Sequence, residues 1–257
     1  MSKSFKSQLK KNSLLIGSWI TIPDTNIIEI FGNFDFDWLC IDMEHSSITI
    51  KDIPFLTSLI ESKNITPIVR IGEHNKNLIK RVMDCGSHGV IVADVRTAEQ
   101  AKSIISSVKY PPYGTRGVGL YKAQKYGENF HDYKIWLQNE SVIILQIEHI
   151  DALNNLDEIL SLNDVDAIMI GPYDFSGSIG VPGDFKNKKY LNNLNQILKK
   201  SKKYKKTIGI HSVSANPNDC KDYIKKGYKF IACSLDTIFL MNSIKNYFTL
   251  LNKKTNE

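Results

Sequence analysis

Residues 142–171, VIILQIEHIDALNNLDEILSLNDVDAIMIG, indicate the fold of this 257-residue chain. The stretch opens with a continuous run of apolar residues, at 142–148, and closes with a second run at 167–171. Between them, residues 152–161 have the apolar spacing of a helix. Continuous apolar strands are typical of parallel sheets, which are covered on both faces. The stretch therefore predicts one β-α-β unit with parallel strands.

The same alternation recurs along the chain. Further strands are predicted at 14–20, 38–43, 67–71, 89–95, 207–211 and 230–234. Further helices are predicted at 53–62, 77–84, 98–108, 191–204, 218–226 and 237–251. Eight strand-then-helix units in a chain of this length predict a single domain, residues 1–257, of the α/β class: a (β/α)₈ TIM barrel. A doubly wound open sheet is the alternative, but no G-x-G-x-x-G follows the first strand to support it.

Composition and charge limit the classes of partner. The formal net charge is +6, but the lysines are spread along the chain instead of forming a basic footprint, so no nucleic-acid partner is expected. The excess charge is suited to attracting an anionic substrate. No apolar run reaches transmembrane length, so no membrane association is expected. The four cysteines show no C-x-x-C spacing and are interpreted as free thiols of a cytoplasmic protein.

Polar residues follow several strands at the ends where this fold places its active site. Any one of them could be a helix cap or a satisfied core group, but their convergence on one rim favours a site. They are Asp42, Glu44 and His45 after the second strand, Arg70 at the third, Gln146 and Glu148 at the fifth, Gly171-Pro172-Tyr173-Asp174 at the sixth, and His211-Ser212 at the seventh. The loop at 110–140 is too long for a plain connection and is expected to be functional.

Glu148 and Asp174 end consecutive strands, whose backbones lie roughly 5 Å apart. Two carboxylates at that distance repel unless they share a proton or a cation. A hard divalent ion such as Mg²⁺ or Mn²⁺ would satisfy both and leave positions for water and substrate. The alternatives are a proton-sharing acid/base pair and, for Asp174, an N-cap of the next helix.

Three further features point to carbonyl chemistry. Arg70 suits the planar oxygens of a carboxylate or an enolate, with a buried structural ion pair as the alternative. Asp42 and His45 lie three residues apart, so the carboxylate is expected to orient the imidazole as a general base. His211 is left open. No lysine occupies a core-strand position suited to a Schiff base, which favours a metal for carbonyl activation.

With these residues in place, the sequence resembles the HpcH/HpaI family of class II aldolases, over nearly the whole chain. The segments that carry the resemblance are FDWLCIDMEHS (36–46), PIVR (67–70), MDCGSHGVIV (83–92), YPPYGTRGVG (110–119), LQIEHIDALNNLDEIL (145–160), IGPYDFSGSIG (170–180) and ACSLDT (232–237). The resemblance implies metal-dependent cleavage of 4-hydroxy-2-oxo acids into pyruvate and an aldehyde, with Mg²⁺, Mn²⁺ or Co²⁺ as cofactor.

The resemblance also implies a role for each site residue. Glu148 and Asp174 would ligate the metal, Arg70 would contact the keto-acid oxygens, and His45 with Asp42 would transfer the proton. Substrate binding is assigned to Arg70, Gln146 and the backbone of Gly171, Pro172 and Tyr173. Asp84 resembles a residue that reaches a neighbouring subunit's active site. The family exchanges its last helix between subunits, so a homo-oligomer, a trimer or a hexamer, is expected.

The sequence departs from the family pattern at three places. Strand four ends in Val92-Ala93-Asp94-Val95, where a proline and an apolar residue are usual. Lys122 stands where arginine is usual, and Tyr173 and Phe175 replace smaller or aliphatic residues. The metal and base positions are intact, so these departures bear on aldehyde specificity. Two rival functions stay open: an oxaloacetate decarboxylase or other carbon–carbon lyase or phosphoenolpyruvate-type enzyme with the same site, and a non-catalytic keto-acid-binding subunit.

Overall fold

Eight parallel strands close into a barrel, each paired with its neighbours in chain order from β1 to β8. The computed structural model describes residues 4–72 and 74–254; the remaining positions of the predicted domain, 1–3, 73 and 255–257, lie outside the described residues. The strands are β1 Leu15–Ile20, β2 Trp38–Asp42, β3 Thr66–Ile71, β4 Gly89–Val92, β5 Val142–Ile147, β6 Ala167–Ile170, β7 Thr207–Ser212 and β8 Phe230–Leu235. The predicted (β/α)₈ barrel is confirmed, and the open sheet is excluded because β8 pairs with β1.

Helices surround the barrel, and most of them bury an apolar face against it. They are α1 Phe5–Lys10, α2 Thr25–Phe31, α3 Ile53–Ser62, α4 Lys76–Asp84, α5 Ala98–Val108, α6 Phe130–Asn139, α7 Ile150–Asn154, α8 Leu156–Ser161, α9 Pro172–Ser178, α10 Lys188–Lys203, α11 Pro217–Lys226 and α12 Asp236–Lys254. No helix in the described part of the chain is both long and apolar enough to cross a membrane.

Most elements differ from their predicted boundaries by one to three residues, and three regions differ in a way that has a structural cause. The fourth strand ends at Val92 instead of residue 95, because the backbone of Asp94 turns into the left-handed region with φ 49°. The helix predicted at 152–161 is two helices, which meet at Asn155. The long 110–140 segment contains a 3₁₀ helix at Lys122–Gly127, followed by α6.

The barrel interior is packed with large side chains. Trp38 stacks on Phe230 with ring centroids 4.2 Å apart and meets Trp19 edge to face. Gly17 makes room for this packing, since a Cβ there would lie 2.2 Å from the Trp38 ring. A barrel of eight strands is filled by such layers and has no open pore. A ligand therefore has space only where the interior layers end.

The amino end of the barrel is closed by α1. Leu9 of this helix packs with the interior residues, and its carbonyl accepts a hydrogen bond from Thr207 at the start of β7. The Lys6 ammonium is buried and donates to the carbonyl of Ser141 and to the carboxylate of Asp166. Because both partners precede strands, this ion pair fastens α1 to the amino end. The open end of the barrel is the carboxyl end.

Candidate active site

A cavity of about 310 Å³ lies at the carboxyl ends of the strands. Its size suits a small organic acid better than a nucleotide. The cavity is lined by Trp19, Thr21, Asp42, His45, Arg70, Gln146, Ile170, Gly171, Pro172, Tyr173, Asp174, His211, Val213 and Leu235. The fold thus brings into one place residues that lie in, or just after, seven of the eight strands, together with the turn into α9. Glu148 does not line the cavity itself, but it accepts a hydrogen bond from Gln146, which does.

Arg70 lies at the centre of this group. It is the register neighbour of Asp42 across β2 and β3, so the two side chains leave the sheet at the same level. The guanidinium makes a two-point contact with the Asp42 carboxylate, with Nε 2.8 Å from Oδ1. Its other face covers the Trp19 ring at 4.3 Å, and Nη1 lies 3.2 Å from Glu44 Oε2. Two of its five N–H groups are used by Asp42, which leaves N–H groups on Nη1 and Nη2 for a ligand.

The predicted contact between Asp42 and the His45 imidazole is corrected by the structure. Asp42 turns its carboxylate to Arg70 and accepts the backbone N–H groups of Glu44 and His45, at 3.0 and 3.3 Å. Although burial acts to raise it, the hydrogen bonds and charge of Arg70 hold the pKa of Asp42 below its usual value. The His45 side chain is 69% exposed, and its Nε2 lies 3.9 Å from Glu44 Oε2. The Asp42 carboxylate therefore pairs with Arg70 on the neighbouring strand, and not with the His45 imidazole that the spacing predicted.

Glu148 is a buried carboxylate held at both oxygens. Oε1 accepts the backbone N–H of Asp94 at 2.6 Å, and Oε2 accepts the side-chain amide of Gln146. Gly171 allows the close approach, since a Cβ there would lie 2.5 Å from Oε2. Burial raises the pKa of Glu148 to about 7, the charges of Glu44 and Asp174 add to the rise, and the two hydrogen bonds oppose it.

Negative charge is in excess around Arg70. Glu44, Glu148 and Asp174 act on one another electrostatically, since the charges of Glu44 and Asp174 raise the pKa of Glu148. The same repulsion from Asp174 acts on Glu44, whose pKa is raised chiefly by burial. One guanidinium, itself paired with Asp42, cannot neutralise three carboxylates, so the cluster favours an additional cation.

The donor set fits a hard divalent ion that keeps water ligands. The buried Oε1 of Gln146 lacks a hydrogen-bond partner within the described chain, as expected where a cation or its water would supply one, whereas Glu44 Oε2 faces Arg70 Nη1 at 3.2 Å. No cluster of three or more His, Cys, Asp or Glu side chains with metal-binding geometry occurs among residues 4–72 and 74–254. Mg²⁺ is commonly held by one or two carboxylates plus water and substrate, and Glu148 with Asp174 matches that pattern.

The sequence reasoning gave no role to two residues of this site, Glu44 and Trp19. Glu44 follows Asp42 by two residues at the end of β2, and alternate residues of a strand share a face. That spacing is the signal that could have identified it. Trp19, near the end of β1, reads in sequence as ordinary core. Its position beneath Arg70 follows from barrel closure, which brings β1 and β3 close across the interior.

His211, left open by the sequence, lines the cavity as a neutral side chain. Its ring packs edge to face on Trp19, and Nε2 lies 3.2 Å from the Ser234 carbonyl. A carbonyl can only accept, so Nε2 carries the proton and Nδ1 is left as an acceptor. Burial, aided by the charge of Arg70, lowers the pKa of His211 to about 3. The ring is therefore a poor proton acceptor at neutral pH and a suitable hydrogen-bonding group.

One desolvated lysine, Lys109, lies at the wrong end of the barrel for carbonyl chemistry. Burial lowers the pKa of Lys109 to about 8, a value that would suit an imine-forming amine. Its Nζ, however, donates to the carbonyls of Leu137 and Gln138 and to the Ser141 hydroxyl, just ahead of β5. The residues that line the carboxyl-end cavity include no lysine.

Asp84 lies outside this cavity. It ends α4, pairs with the buried Arg116 at 2.6 Å, and borders a separate cavity of about 700 Å³ that also contains Lys122. Lys122, one of the departures, donates to Thr57 in α3. A role for Asp84 in a neighbouring subunit's site stays a prediction.

Tyr173 and Phe175 of α9, the two aromatic residues that depart from the family pattern, point in different directions. The Tyr173 ring packs edge to face on Phe185 at 5.0 Å and is half exposed at the cavity rim. Phe175 is fully buried and faces Tyr190 of α10. Tyr173 is thus placed to contact the outer part of a bound molecule, whereas Phe175 fills the layer behind the barrel.

Comparisons with known proteins agree with the geometry. The family model for HpcH/HpaI aldolase/citrate lyase matches residues 15–243. A 2-keto-3-deoxy-L-rhamnonate aldolase from Escherichia coli O9:H4 (strain HS) is 30% identical over 258 residues, spanning 100% of this chain and 96% of the relative. An HpcH/HpaI aldolase/citrate lyase family protein from Burkholderia cenocepacia J2315 has a similar structure, with a TM-score of 0.89 at 23% identity over 96% of this chain and 98% of the other. The HpcH/HpaI aldolase from Desulfitobacterium hafniense DCB-2 gives 0.88 at 24% identity over 97% of both chains.

Proposed function

Because this chain belongs to the HpcH/HpaI aldolase/citrate lyase family, we propose that it is a divalent-metal-dependent aldolase that cleaves 4-hydroxy-2-oxo acids into pyruvate and an aldehyde. The observation that carries the proposal is the carboxylate cluster of Glu44, Glu148 and Asp174 around Arg70. The charges of Glu44 and Asp174 act against ionisation of Glu148, which a cation would relieve, and a 2-oxo acid presents oxygens that would chelate such a cation.

Glu148 and Asp174 are the residues that would hold the metal, whether Mg²⁺, Mn²⁺ or Co²⁺. When bound, the cation supplies Lewis-acid stabilisation of the negative charge that develops on the 2-oxo oxygen. Gln146 keeps Glu148 oriented through its amide and lines the cavity beside it. Glu44 adds negative charge that acts on Glu148, and its Oε2 lies 3.2 Å from Arg70 Nη1.

Arg70 adds fixed positive charge at the same oxygen. Asp42 holds the guanidinium by two points and Trp19 supports it from below, so it is oriented before the substrate binds. Donors that need no reorganisation during the reaction stabilise developing charge most effectively. In this scheme Asp42 is a positioning residue for Arg70.

His45 is the candidate base for the C4 hydroxyl. It lies at the cavity rim, where its exposed imidazole can reach the part of the substrate that leaves as aldehyde. As the C3–C4 bond breaks, it would take the hydroxyl proton, and in the synthetic direction it would return it. Glu44 Oε2 lies 3.9 Å from the imidazole Nε2, beyond hydrogen-bond distance, so the ring is free to turn towards the substrate.

The pyruvate end of the substrate would lie against the turn from β6 into α9. Gly171, the N-cap of α9, has no side chain to cap the helix, so the backbone N–H groups of Tyr173 and Asp174 in the first turn are open to a carboxylate. The aldehyde end would then extend towards Tyr173 and Val213 at the rim. The polyhydroxylated 2-keto-3-deoxy sugar acids, named in the similar enzyme from E. coli, are the substrate class we propose.

Chelation and product analysis test this function. Enzyme dialysed against a chelator is assayed for pyruvate release from 2-keto-3-deoxy-L-rhamnonate and related 4-hydroxy-2-oxo acids. We expect no turnover until Mg²⁺, Mn²⁺ or Co²⁺ is returned. Full activity after exhaustive chelation, or a borohydride-stable adduct with pyruvate, would contradict the proposal. Turnover of oxaloacetate without any aldehyde release would instead support a decarboxylase, and pyruvate binding without any turnover a non-catalytic subunit.

A further inference from the structure

Asp94 adopts an uncommon backbone conformation two residues beyond the end of β4. Its φ of 49° lies in the left-handed region, which costs free energy for any residue that carries a Cβ. Its neighbours are anchored on both sides. The N–H of Ala93 bonds to the Ile71 carbonyl at 3.0 Å, and that of Val95 to the Gln146 carbonyl at 3.3 Å. Strain confined to one residue between such anchors often marks a functional constraint.

The left-handed turn aims one group at the candidate metal site. The Asp94 N–H donates to Glu148 Oε1 at 2.6 Å, while Gln146 holds Oε2. These two donors orient a carboxylate that has no ion-pair partner among the described residues. Metal ligands generally depend on such hydrogen bonds for their orientation, and losing one typically costs 10–100-fold in metal affinity.

The side chain of Asp94 turns away from the site and forms an ion pair with Arg96. The guanidinium contacts the carboxylate by two points, with Nε 2.7 Å from Oδ1 and Nη2 2.8 Å from Oδ2. Arg96 is itself fixed through its backbone. Its N–H donates to Gln100 of the α5 capping box at 2.7 Å, and its carbonyl accepts from Asn155 at 2.9 Å.

We propose that Asp94 and Arg96 form a clip that holds the backbone of residue 94 in its left-handed turn and thereby positions Glu148 for the divalent cation. Both are positioning residues, and the inference rests on the proposed function. An exposed ion pair contributes little to folding stability because water screens it. Folding stability therefore does not explain the two-point contact or the strained backbone at residue 94. Both are explained if the ion pair sets the orientation of the Asp94 N–H.

The test measures metal affinity apart from turnover. Metal-free full-length enzyme is titrated with Mn²⁺, and the free ion is followed by its electron paramagnetic resonance signal. We expect Arg96→Ala to bind Mn²⁺ about 10-fold more weakly and Asp94→Ala between about 10- and 100-fold more weakly, because alanine loses both the clip and the tolerance for positive φ. Asp94→Asn should fall between wild type and alanine, since asparagine adopts the left-handed region readily and keeps one acceptor for Arg96.

A second readout separates positioning from general damage. In the variants, kcat should return to within about threefold of wild type at saturating Mn²⁺, because the clip acts on the metal ligand and does not touch the substrate. Asp222→Asn is the matched control; it removes an exposed pair with Lys225 on α11 and should leave Mn²⁺ affinity unchanged. Thermal melting checks that each variant is folded, and Arg96→Ala keeps the aspartate at 94 if Asp94→Ala fails to fold.

The outcomes distinguish the two proposals. If wild type binds Mn²⁺, Glu148→Gln abolishes binding, and the clip variants bind as wild type does, the clip is wrong and the proposed function stands. If wild type binds no Mn²⁺ with or without pyruvate, the proposed metal dependence fails and the clip fails with it. If the Asp94 and Arg96 variants bind Mn²⁺ more weakly and their kcat recovers at high Mn²⁺, both the clip and the proposed function are supported.

Discussion

Among single residues, Arg70 separates a site that stabilises developing charge from one that only binds a keto acid. Its guanidinium is fixed by Asp42 and Trp19 and still offers N–H groups to the cavity. If it acts mainly on the transition state, its removal lowers kcat more than it raises KM. The residue therefore offers a direct kinetic test of the site's chemistry.

We expect Arg70→Lys to lower kcat on the order of 10²-fold, because lysine keeps the charge but loses the planar fork and one oriented donor. Steady-state kinetics of aldol cleavage and of oxaloacetate decarboxylation should both show the loss, since both reactions place negative charge on the same oxygen. Arg81→Lys, an exposed arginine outside the carboxyl-end cavity, is the control. Equal behaviour of the two variants would remove Arg70 from the catalytic site.

His45 and Asp42 are predicted to have separable effects, because the structure pairs Asp42 with Arg70 and not with the imidazole. His45→Ala should lower kcat by roughly 10²–10⁴-fold with unchanged Mn²⁺ affinity, as for loss of a general base. Asp42→Asn should resemble Arg70→Lys in its kinetics and leave the pH profile of the base in place. A profile that shifts in Asp42→Asn as it does in His45→Ala would restore the dyad inferred from spacing.

Between elements, His211 connects β7 to β8 through the Ser234 carbonyl. Its pKa of about 3 lies well below the usual 6.5, chiefly because of burial. Between those two values the unfolded chain binds a proton that the folded chain does not. Stability is therefore complete above about pH 6.5 and declines as the pH falls towards 3.

Urea unfolding between pH 7 and 4 measures this contribution. For one proton the slope is at most about 1.4 kcal/mol per pH unit, and His211→Gln should reduce the pH dependence by that amount. His131→Gln, which changes an exposed histidine, should retain the wild-type slope. A His211 variant with the wild-type slope would show that the ring accepts a proton in the folded protein.

At the scale of the whole molecule, α12 presents an apolar surface that one chain does not cover. Met241, Tyr247, Phe248 and Leu250 are each more than half exposed, at 64%, 65%, 54% and 64%. So many large apolar side chains exposed on one helix usually mark an interface. We therefore propose that this helix packs against another copy of the chain, as exchange of the last helix would require, and that Asp84 meets a partner's site in the same assembly.

Light scattering after size-exclusion chromatography tests the assembly. We expect a mass of three or six times the 29.2 kDa subunit. Met241→Lys combined with Phe248→Lys should dissociate it and lower activity, whereas Ile135→Lys, on exposed α6, should leave the mass unchanged. A wild-type protein that elutes and scatters as a monomer would contradict the proposed oligomer.

The sequence by itself determined the architecture and the location of the site. Continuous apolar runs that alternate with segments of helical spacing predict a parallel barrel. Closure of the barrel brings every strand's carboxyl end to one rim. Polar residues placed after those runs had to converge there, as Arg70, Asp174 and His211 do. This information is local, because the apolar residues that predict the burial of a strand lie in that strand.

The tertiary structure alone decided which side chains pair at that rim. Spacing along the chain assigned Asp42 to His45, but the register of β2 on β3 places Arg70 opposite Asp42, and a cross-strand guanidinium makes the stronger two-point contact. The left-handed turn at Asp94 and the burial of Lys109 at the amino end likewise depend on neighbours distant in sequence. Partner choice among charged groups is set by register and burial, and neither can be read from one strand alone.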